Sequence, residues 1–158
     1  HDAVADYPAD GKSRPAWVAD ALVRQLEFYQ RLDALSARQS ELISDDNTDG
    51  LLAILGERQA LIDRITEIGA RLEPVRSAWE AFLLGLPGPT REQIGTLVDA
   101  LGALAGRVAE RDEADRRRLE ERRAVVGAEL TTIGRGRSAL AAYGGRPPRA
   151  PVFQDREI

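Results

Sequence analysis

The chain has 158 residues and a formal net charge of −4, from 22 basic and 26 acidic residues. It contains no Cys and no Met, and its single His is at position 1. Thiolate metal sites, disulfides, cysteine nucleophiles and nearly all histidine acid–base chemistry are therefore excluded. Aromatic residues make up only 5%, too few for most ligand pockets or base-stacking surfaces. This composition disfavours an enzyme and favours a helical interaction protein.

The two ends differ in composition from the middle of the chain. Residues 1–14 are polar and contain Pro8 and Gly11, which predicts a flexible lead-in. Residues 144–158 contain two glycines and three prolines, which predict a flexible tail because proline breaks helices and central strands. A helical domain is predicted between them, over residues 15–143. No long apolar run or recognisable signal-peptide pattern is present, so we expect no membrane insertion.

The first predicted helix covers residues 15–43. Pro15 suits the first helical position, where its missing N–H costs nothing. The apolar residues recur in steps of three and four, which places them on one face of a helix. That predicted stripe consists of Val18, Leu22, Leu26, Tyr29, Leu32, Leu35, Gln39 and Leu42.

The second predicted helix covers residues 48–85. Asn47 or Thr48 can cap its first turn, and Pro74 is expected to kink it by removing a backbone donor. The acidic residues that precede it lack the glycine and closing glutamate of a calcium loop, which favours a simple helix cap. The predicted stripe is Leu52, Leu55, Gln59, Ile62, Ile65, Gly69, Leu72, Arg76, Trp79 and Leu83.

The third predicted helix covers residues 90–143. Thr90 and Gln93 have the spacing of a capping box, and Gly127, Gly134 and Gly136 are candidate break points. An unbroken helix of this length would extend about 80 Å. The predicted stripe is Ile94, Leu97, Leu101, Leu104, Val108, Asp112, Asp115, Leu119, Val126, Leu130, Ile133, Arg137 and Leu140.

Three such segments joined by short turns predict an all-α fold. We expect an elongated antiparallel helical hairpin or three-helix coiled-coil bundle with a long C-terminal helix. The first half of helix three can cover the two earlier helices. Its second half, over residues 119–140, has no evident partner within the chain, and we expect its apolar face to bind another helix.

A mixed charge cluster lies midway along helix three. Its acidic and basic residues alternate in blocks, which is typical of a solvated helix with i,i+4 ion pairs. The alternative is an RNA or phosphate patch, although acidic flanks, absent aromatics and the net negative charge disfavour nucleic acid. No phosphate loop, catalytic triad or metal-ligand pattern occurs, so no cofactor and no metal are predicted. The basic residues of that alternative are Arg116, Arg117, Arg118, Arg122 and Arg123.

Three stretches of sequence resemble the FlgN family of flagellar export chaperones. These are the leucine-rich residues 32–43 with the acidic turn that follows, residues 51–63 with their opening double leucine, and residues 130–144 with their Tyr-Gly close. The resemblance implies a cytoplasmic chaperone without enzymatic activity. It implies partners that are hook–filament junction proteins, bound by their C-terminal helical segments, and the type III export gate.

The resemblance and the unmatched face together predict the functional residues. A client helix would bind in the groove beside the second half of helix three, and the gate would dock near Tyr143, with Phe153 in the tail as another candidate. A homodimer formed by the same apolar face is the main alternative, and the arginine patch is the second. The predicted client-binding residues are Leu119, Val126, Leu130, Ile133 and Leu140.

Overall fold

The computed structural model describes residues 4–132, without the side chains of residue 126 and residues 129–132. All regular structure in this part of the chain is helical, so the predicted all-α class is confirmed. A 3-10 turn at Gly11–Ser13 precedes the first long helix. The α-helices are α1 (Arg14–Ser44), α2 (Thr48–Arg71), α3 (Glu73–Arg76), α4 (Trp79–Leu84) and α5 (Gly88–Thr132).

Helix α1 lies at the centre of the bundle and packs against both α2 and α5. Pro15 occupies its first turn, as its sequence position predicts. Six of the eight predicted stripe residues are buried, and Leu26 and Leu35 are half-buried. The buried face is wider than the stripe and includes Phe28 and Ile43, because two partner helices cover α1 instead of one.

Helices α1 and α2 run antiparallel, as their short turn requires. The Gln25 side chain donates a hydrogen bond to the Ile65 carbonyl at 3.2 Å, and the Arg58 guanidinium donates one to the Ser36 hydroxyl at 3.2 Å. Residue numbers therefore fall along α2 as they rise along α1.

Helices α1 and α5 run parallel. Asp33 pairs with Arg107, and Ser44 accepts a hydrogen bond from Arg118, so both residue numbers rise together. The chain thus forms an up–down–up bundle. At 1.5 Å per residue, the 31 residues of α1 extend about 46 Å and the 45 residues of α5 about 68 Å.

The first half of α2 is rotated relative to the prediction. Leu52, Leu55 and Gln59 are exposed, whereas Ile54 and Arg58 face the bundle. The predicted stripe is therefore wrong over these positions, although Ile62, Ile65, Gly69 and Leu72 are buried as expected. Both faces have apolar residues in steps of three and four, and the predicted face placed Leu52 and Leu55 in the core. The observed arrangement is stable because Arg58 finds a carboxylate partner there.

Pro74 ends one helix and begins another instead of kinking a single helix. Helix α2 ends at Arg71, and Pro74 lies in the first turn of α3, where the missing N–H has no role. A second break follows at Ala78, whose backbone leaves the helical region with φ −132° and ψ 41°. The short helices α3 and α4 then turn the chain back toward the start of α5.

Helix α5 begins two residues earlier than predicted. Its first residue is Gly88, and the Arg91 N–H already donates to the Pro87 carbonyl at 2.9 Å. Thr90 therefore lies inside the first turn instead of at the cap, so the predicted capping box is not formed. The described part of α5 passes Gly127 without a break and ends at Thr132. The predicted break points Gly134 and Gly136 lie outside the described residues.

The segment before α1 packs against the bundle from Val4 onward. The Trp17 indole donates to the Ala5 carbonyl at 2.9 Å, and the Tyr7 ring meets the Trp17 ring edge-on at 5.2 Å. The Arg14 guanidinium lies over the Tyr7 ring at 4.9 Å. Residues 4–13 are thus held by contacts that the predicted lead-in did not include.

Candidate functional site

Helix α5 extends beyond the other two long helices. At the end of α1, Arg122 of α5 pairs with Asp46 in the α1–α2 turn, with Nη1 and Oδ1 2.6 Å apart. Ten further residues of α5 follow Arg122 up to Thr132, a projection of about 15 Å at the α-helical rise. The structure therefore has a helical extension, residues 123–132, at the end of the bundle that carries the α1–α2 turn.

The predicted client-binding residues fall around this extension. Leu119 is half-buried at its base. Val126 and Leu130 lie in the helix, but their side chains are not described. Ile133 and Leu140 lie outside the described residues. Val125 lies next to Val126 of the predicted stripe, and it is 55% exposed.

The gate-docking candidates Tyr143 and Phe153 also lie outside the described residues. On the extension itself burial is uneven, because Gly127 is buried whereas Val125 is exposed. The geometry thus places one predicted residue, Leu119, where the bundle ends and the extension begins.

A buried ion pair crosses the bundle just below this point. Arg58 of α2 and Asp112 of α5 form two parallel bonds, with Nη1–Oδ1 at 2.6 Å and Nη2–Oδ2 at 2.7 Å. Their side chains are only 3% and 11% exposed. Arg58 Nη1 also donates to Ser36 and to the Gln39 side-chain oxygen. The planar guanidinium matches the carboxylate in this geometry, which offsets the cost of burying both charges.

Asp115 forms the second half of the same polar cluster. Its carboxylate accepts hydrogen bonds from Gln39 at 2.8 Å and from the Ser40 hydroxyl at 2.9 Å. Arg118 donates to it at 3.0 Å and also to the Ser40 carbonyl at 2.9 Å. Burying a carboxylate away from water is costly unless hydrogen-bond donors such as these replace the lost water contacts. We call this group the polar layer; it consists of Ser36, Gln39, Ser40, Arg58, Asp112 and Asp115.

The polar layer divides the buried apolar residues into two groups. The larger group, the main core, extends from Trp17 to Leu32 on α1 and from Ile94 to Val108 on α5. The smaller group, the turn-end cluster, consists of Leu42, Ile43 and Ile54, which are buried but lie outside the main core. The layer also fixes the register of α5, since sliding by one turn would separate two buried carboxylates from their donors.

Sequence reasoning placed part of this layer and missed the rest. Gln39, Asp112 and Asp115 interrupted the predicted apolar stripes, and the structure brings all three together. Arg58 was missed because the predicted stripe of α2 ran through Leu55 and Gln59, on a different side of the helix. Two carboxylates within an apolar stripe are the signal that a buried cation lies opposite them.

The charge cluster on α5 pairs largely with itself, as its spacing predicts. Arg116 bonds Glu113 at 2.7 Å and Glu120 at 2.8 Å, and Arg117 bonds Glu113 at 3.2 Å. The hydrogen bond and charge of Arg116, followed by those of Arg117, hold the pKa of Glu113 below its ordinary value, although partial desolvation opposes the shift. The same Glu113 contact, with help from Glu120, raises the pKa of Arg116. These arginines already have anionic partners, which leaves the phosphate-patch alternative without support from the geometry.

The described residues contain neither a candidate metal site nor a candidate membrane span. No group of three or more His, Cys, Asp or Glu side chains within residues 4–132 is arranged to hold a metal ion. No helix in that part of the chain is long and apolar enough to cross a membrane.

Comparison with known proteins identifies the family. The model of the FlgN family, described as FlgN protein, matches residues 17–146, which is most of the chain. The chain belongs to the FlgN family. FlgN proteins are chaperones of flagellar type III export, so the chaperone class predicted from the sequence is confirmed. No curated protein and no solved structure matches the chain. The match covers all five α-helices except the first three residues of α1.

Proposed function

We propose that this FlgN protein is a cytoplasmic chaperone that binds the C-terminal helical segment of hook–filament junction proteins. In this proposal it keeps those subunits unassembled and delivers them to the flagellar export gate. The observation that carries the proposal is the extension of α5 past the α1–α2 turn, because an extended helix with an apolar stripe needs a partner helix.

The client would continue the packing that the bundle begins. Up to Val108 the stripe of α5 belongs to the main core: Ile94, Leu101 and Val108 are buried in it, and Leu97 and Leu104 pack against it half-buried. The same spacing continues in the sequence through Leu119 to Val126 and then to the rest of the predicted set. A client helix laid along these positions would replace α1 and α2 as the apolar partner of α5. The proposed client-binding residues are Leu119, Val126, Leu130, Ile133 and Leu140.

The physical task of a chaperone follows from this arrangement. A junction-protein segment that assembles through its apolar face cannot assemble while that face is covered by α5. Burial of each apolar anchor contributes about 1.5–3 kcal/mol before the cost of ordering the segment. We propose Tyr143 and Phe153 as contacts to the export gate, beyond the client-binding stripe.

The proposal is tested with Leu130→Asp and Ile133→Asp in the full chain. Binding of a C-terminal peptide from a hook–filament junction protein is measured by titration calorimetry, and helicity and melting are measured in parallel. We expect binding to be lost while the melting temperature stays close to that of the unmodified protein. Val23→Gln is the control, because Val23 is exposed on α1, away from the extension.

Two results would contradict the proposal. Equal loss of stability and binding would mean that Leu130 and Ile133 belong to the folded core. A stable dimer by light scattering that ignores the peptide would mean that the stripe joins two copies of this chain.

A further inference from the structure

Helix α2 carries an exposed apolar surface at the same end of the bundle. Leu52 and Leu55 are 62% and 40% exposed, and they are one helical turn apart on one side of α2. Ala53 and Gly56 beside them are exposed as well, and a Cβ added at Gly56 would meet nothing within 4 Å. We call these four residues the α2 outer patch.

The α2 outer patch is not the surface by which α2 is held. Ile54 and Arg58 anchor this part of α2 on its opposite side, in the turn-end cluster and the polar layer. Residues two positions apart on a helix point in nearly opposite directions, so Leu52 faces away from Ile54. Both leucines are therefore available without any rearrangement of the bundle.

The charge around the patch restricts what can cover it. Residues 45–57 contain four carboxylates, at Asp45, Asp46, Asp49 and Glu57, and no Lys or Arg. The nearest cation in α2 is Arg58, which is buried against Asp112. Asp46 is paired with Arg122. Asp49 lies one turn before Leu52, and Asp63 lies two turns after Leu55 on the same side.

We propose that the α2 outer patch is a second docking surface, whose partner is an amphipathic protein helix with Lys or Arg beside its apolar stripe. Two leucines at i and i+3 match the spacing of apolar residues on such a helix. The small side chains at Ala53 and Gly56 allow close approach of the two helix backbones. The carboxylates at either end of the patch pair with basic residues and disfavour an acidic helix.

This surface is separate from the stripe proposed for the client. The client-binding residues continue the buried face of α5, whereas Leu52 points outward from α2. A FlgN protein that holds a client on α5 would thus keep α2 free for a different helix.

The test uses fluorescence anisotropy with two labelled synthetic peptides about 14 residues long, or four helical turns. One peptide places Leu on one face and Lys on the other, and the second has Glu in place of every Lys. We expect the Leu/Lys peptide to bind and the Leu/Glu peptide to bind at least about tenfold more weakly. Leu52→Gln with Leu55→Gln is expected to weaken binding of the Leu/Lys peptide about tenfold or more.

Matched variants separate the patch from general effects. Val23→Gln removes from α1 an apolar residue that is as exposed as Leu55, and it is expected to leave binding unchanged. Asp49→Asn with Asp63→Asn is expected to weaken binding of the Leu/Lys peptide and to reduce its dependence on salt. Melting curves of all variants should lie close to that of the unmodified protein, because the substituted side chains are exposed.

Three results would overturn the proposal. One is equal binding of both peptides, and another is unchanged binding by the double glutamine variant. The third is a dimer by light scattering that dissociates in that variant, which would show that a second copy covers the patch. The double glutamine variant should still bind the junction-protein peptide, so failure here and failure of the proposed client site are distinguishable.

Discussion

The main core and the turn-end cluster both include residues of α1 and α2, yet they differ in what surrounds them. The main core is continuous along the bundle and includes fully buried residues such as Phe28, Leu32 and Leu101. The turn-end cluster has the polar layer on one side and the end of the bundle on the other. A few apolar residues isolated in this way have less to pack against, so this end is suited to exchange contacts with partners.

The difference depends on the polar layer, and breaking that layer has the largest expected effect. Asp112→Leu leaves the Arg58 guanidinium, only 3% exposed, without its carboxylate. We expect a loss of about 3–5 kcal/mol in the free energy of unfolding, measured by urea denaturation. Adding Arg58→Leu should recover much of this loss, although the Gln39 side-chain oxygen then loses its donor. A single variant as stable as the unmodified protein would contradict the assignment of a buried ion pair.

A matched pair of leucines on α1 compares the two apolar groups directly. Leu32 lies in the main core and Leu42 in the turn-end cluster, and they are 0% and 3% exposed. Leu32→Ala is expected to cost about 3–5 kcal/mol and Leu42→Ala about 2 kcal/mol, because the smaller cluster can relax around the cavity. Hydrogen exchange should also show earlier opening near Leu42. Equal costs would mean that the layer does not separate the two groups.

The start of α2 provides a smaller change at the turn end. The Asn47 side chain accepts a hydrogen bond from the Gly50 N–H at 2.9 Å and so caps the helix. Asn47→Ala should lower the free energy of unfolding by about 1 kcal/mol, whereas Asn47→Asp should be nearly neutral. Thermal melting distinguishes the two. If both variants melt alike, the side-chain cap contributes nothing.

The smallest expected effect is the pH dependence that Glu113 contributes. Because its folded-state pKa is lowered, its ion pairs stabilise the protein above its ordinary value of 4.5, and this contribution is lost as pH falls through the lowered pKa. Glu113→Gln should therefore melt slightly below the unmodified protein at neutral pH, and the gap should close in acid. The gap should also shrink at high salt, since these side chains are accessible to solvent. A gap that widens in acid would contradict the assigned direction.

Much of the fold is readable from local sequence patterns. The α1 stripe, the asparagine cap of α2 and the self-paired arginines of α5 all involve residues within a few turns of one another. The helical periodicity also predicts the extension of α5, because its apolar spacing outlasts that of the helices beside it. The client-binding residues proposed there stay a prediction.

The errors fall where a contact between distant residues decides the outcome. Helix α2 has two possible buried faces with the same spacing of three and four residues. One passes through Leu52 and Leu55, and the other through Ile54 and Arg58. The choice depends on Asp112, which is 54 positions from Arg58 in the sequence. Pro74 likewise fits either a kinked helix or a new first turn, and the path of the surrounding chain selects the second.

By itself the sequence determined that the protein is helical, where the long helices lie and that no disulfide or thiolate chemistry is possible, because periodicity and composition are local properties. Contacts between the helices select which side of α2 is buried and which leucines stay outside. The physical reason is that a charged side chain can enter the core only when another part of the chain provides its counter-charge.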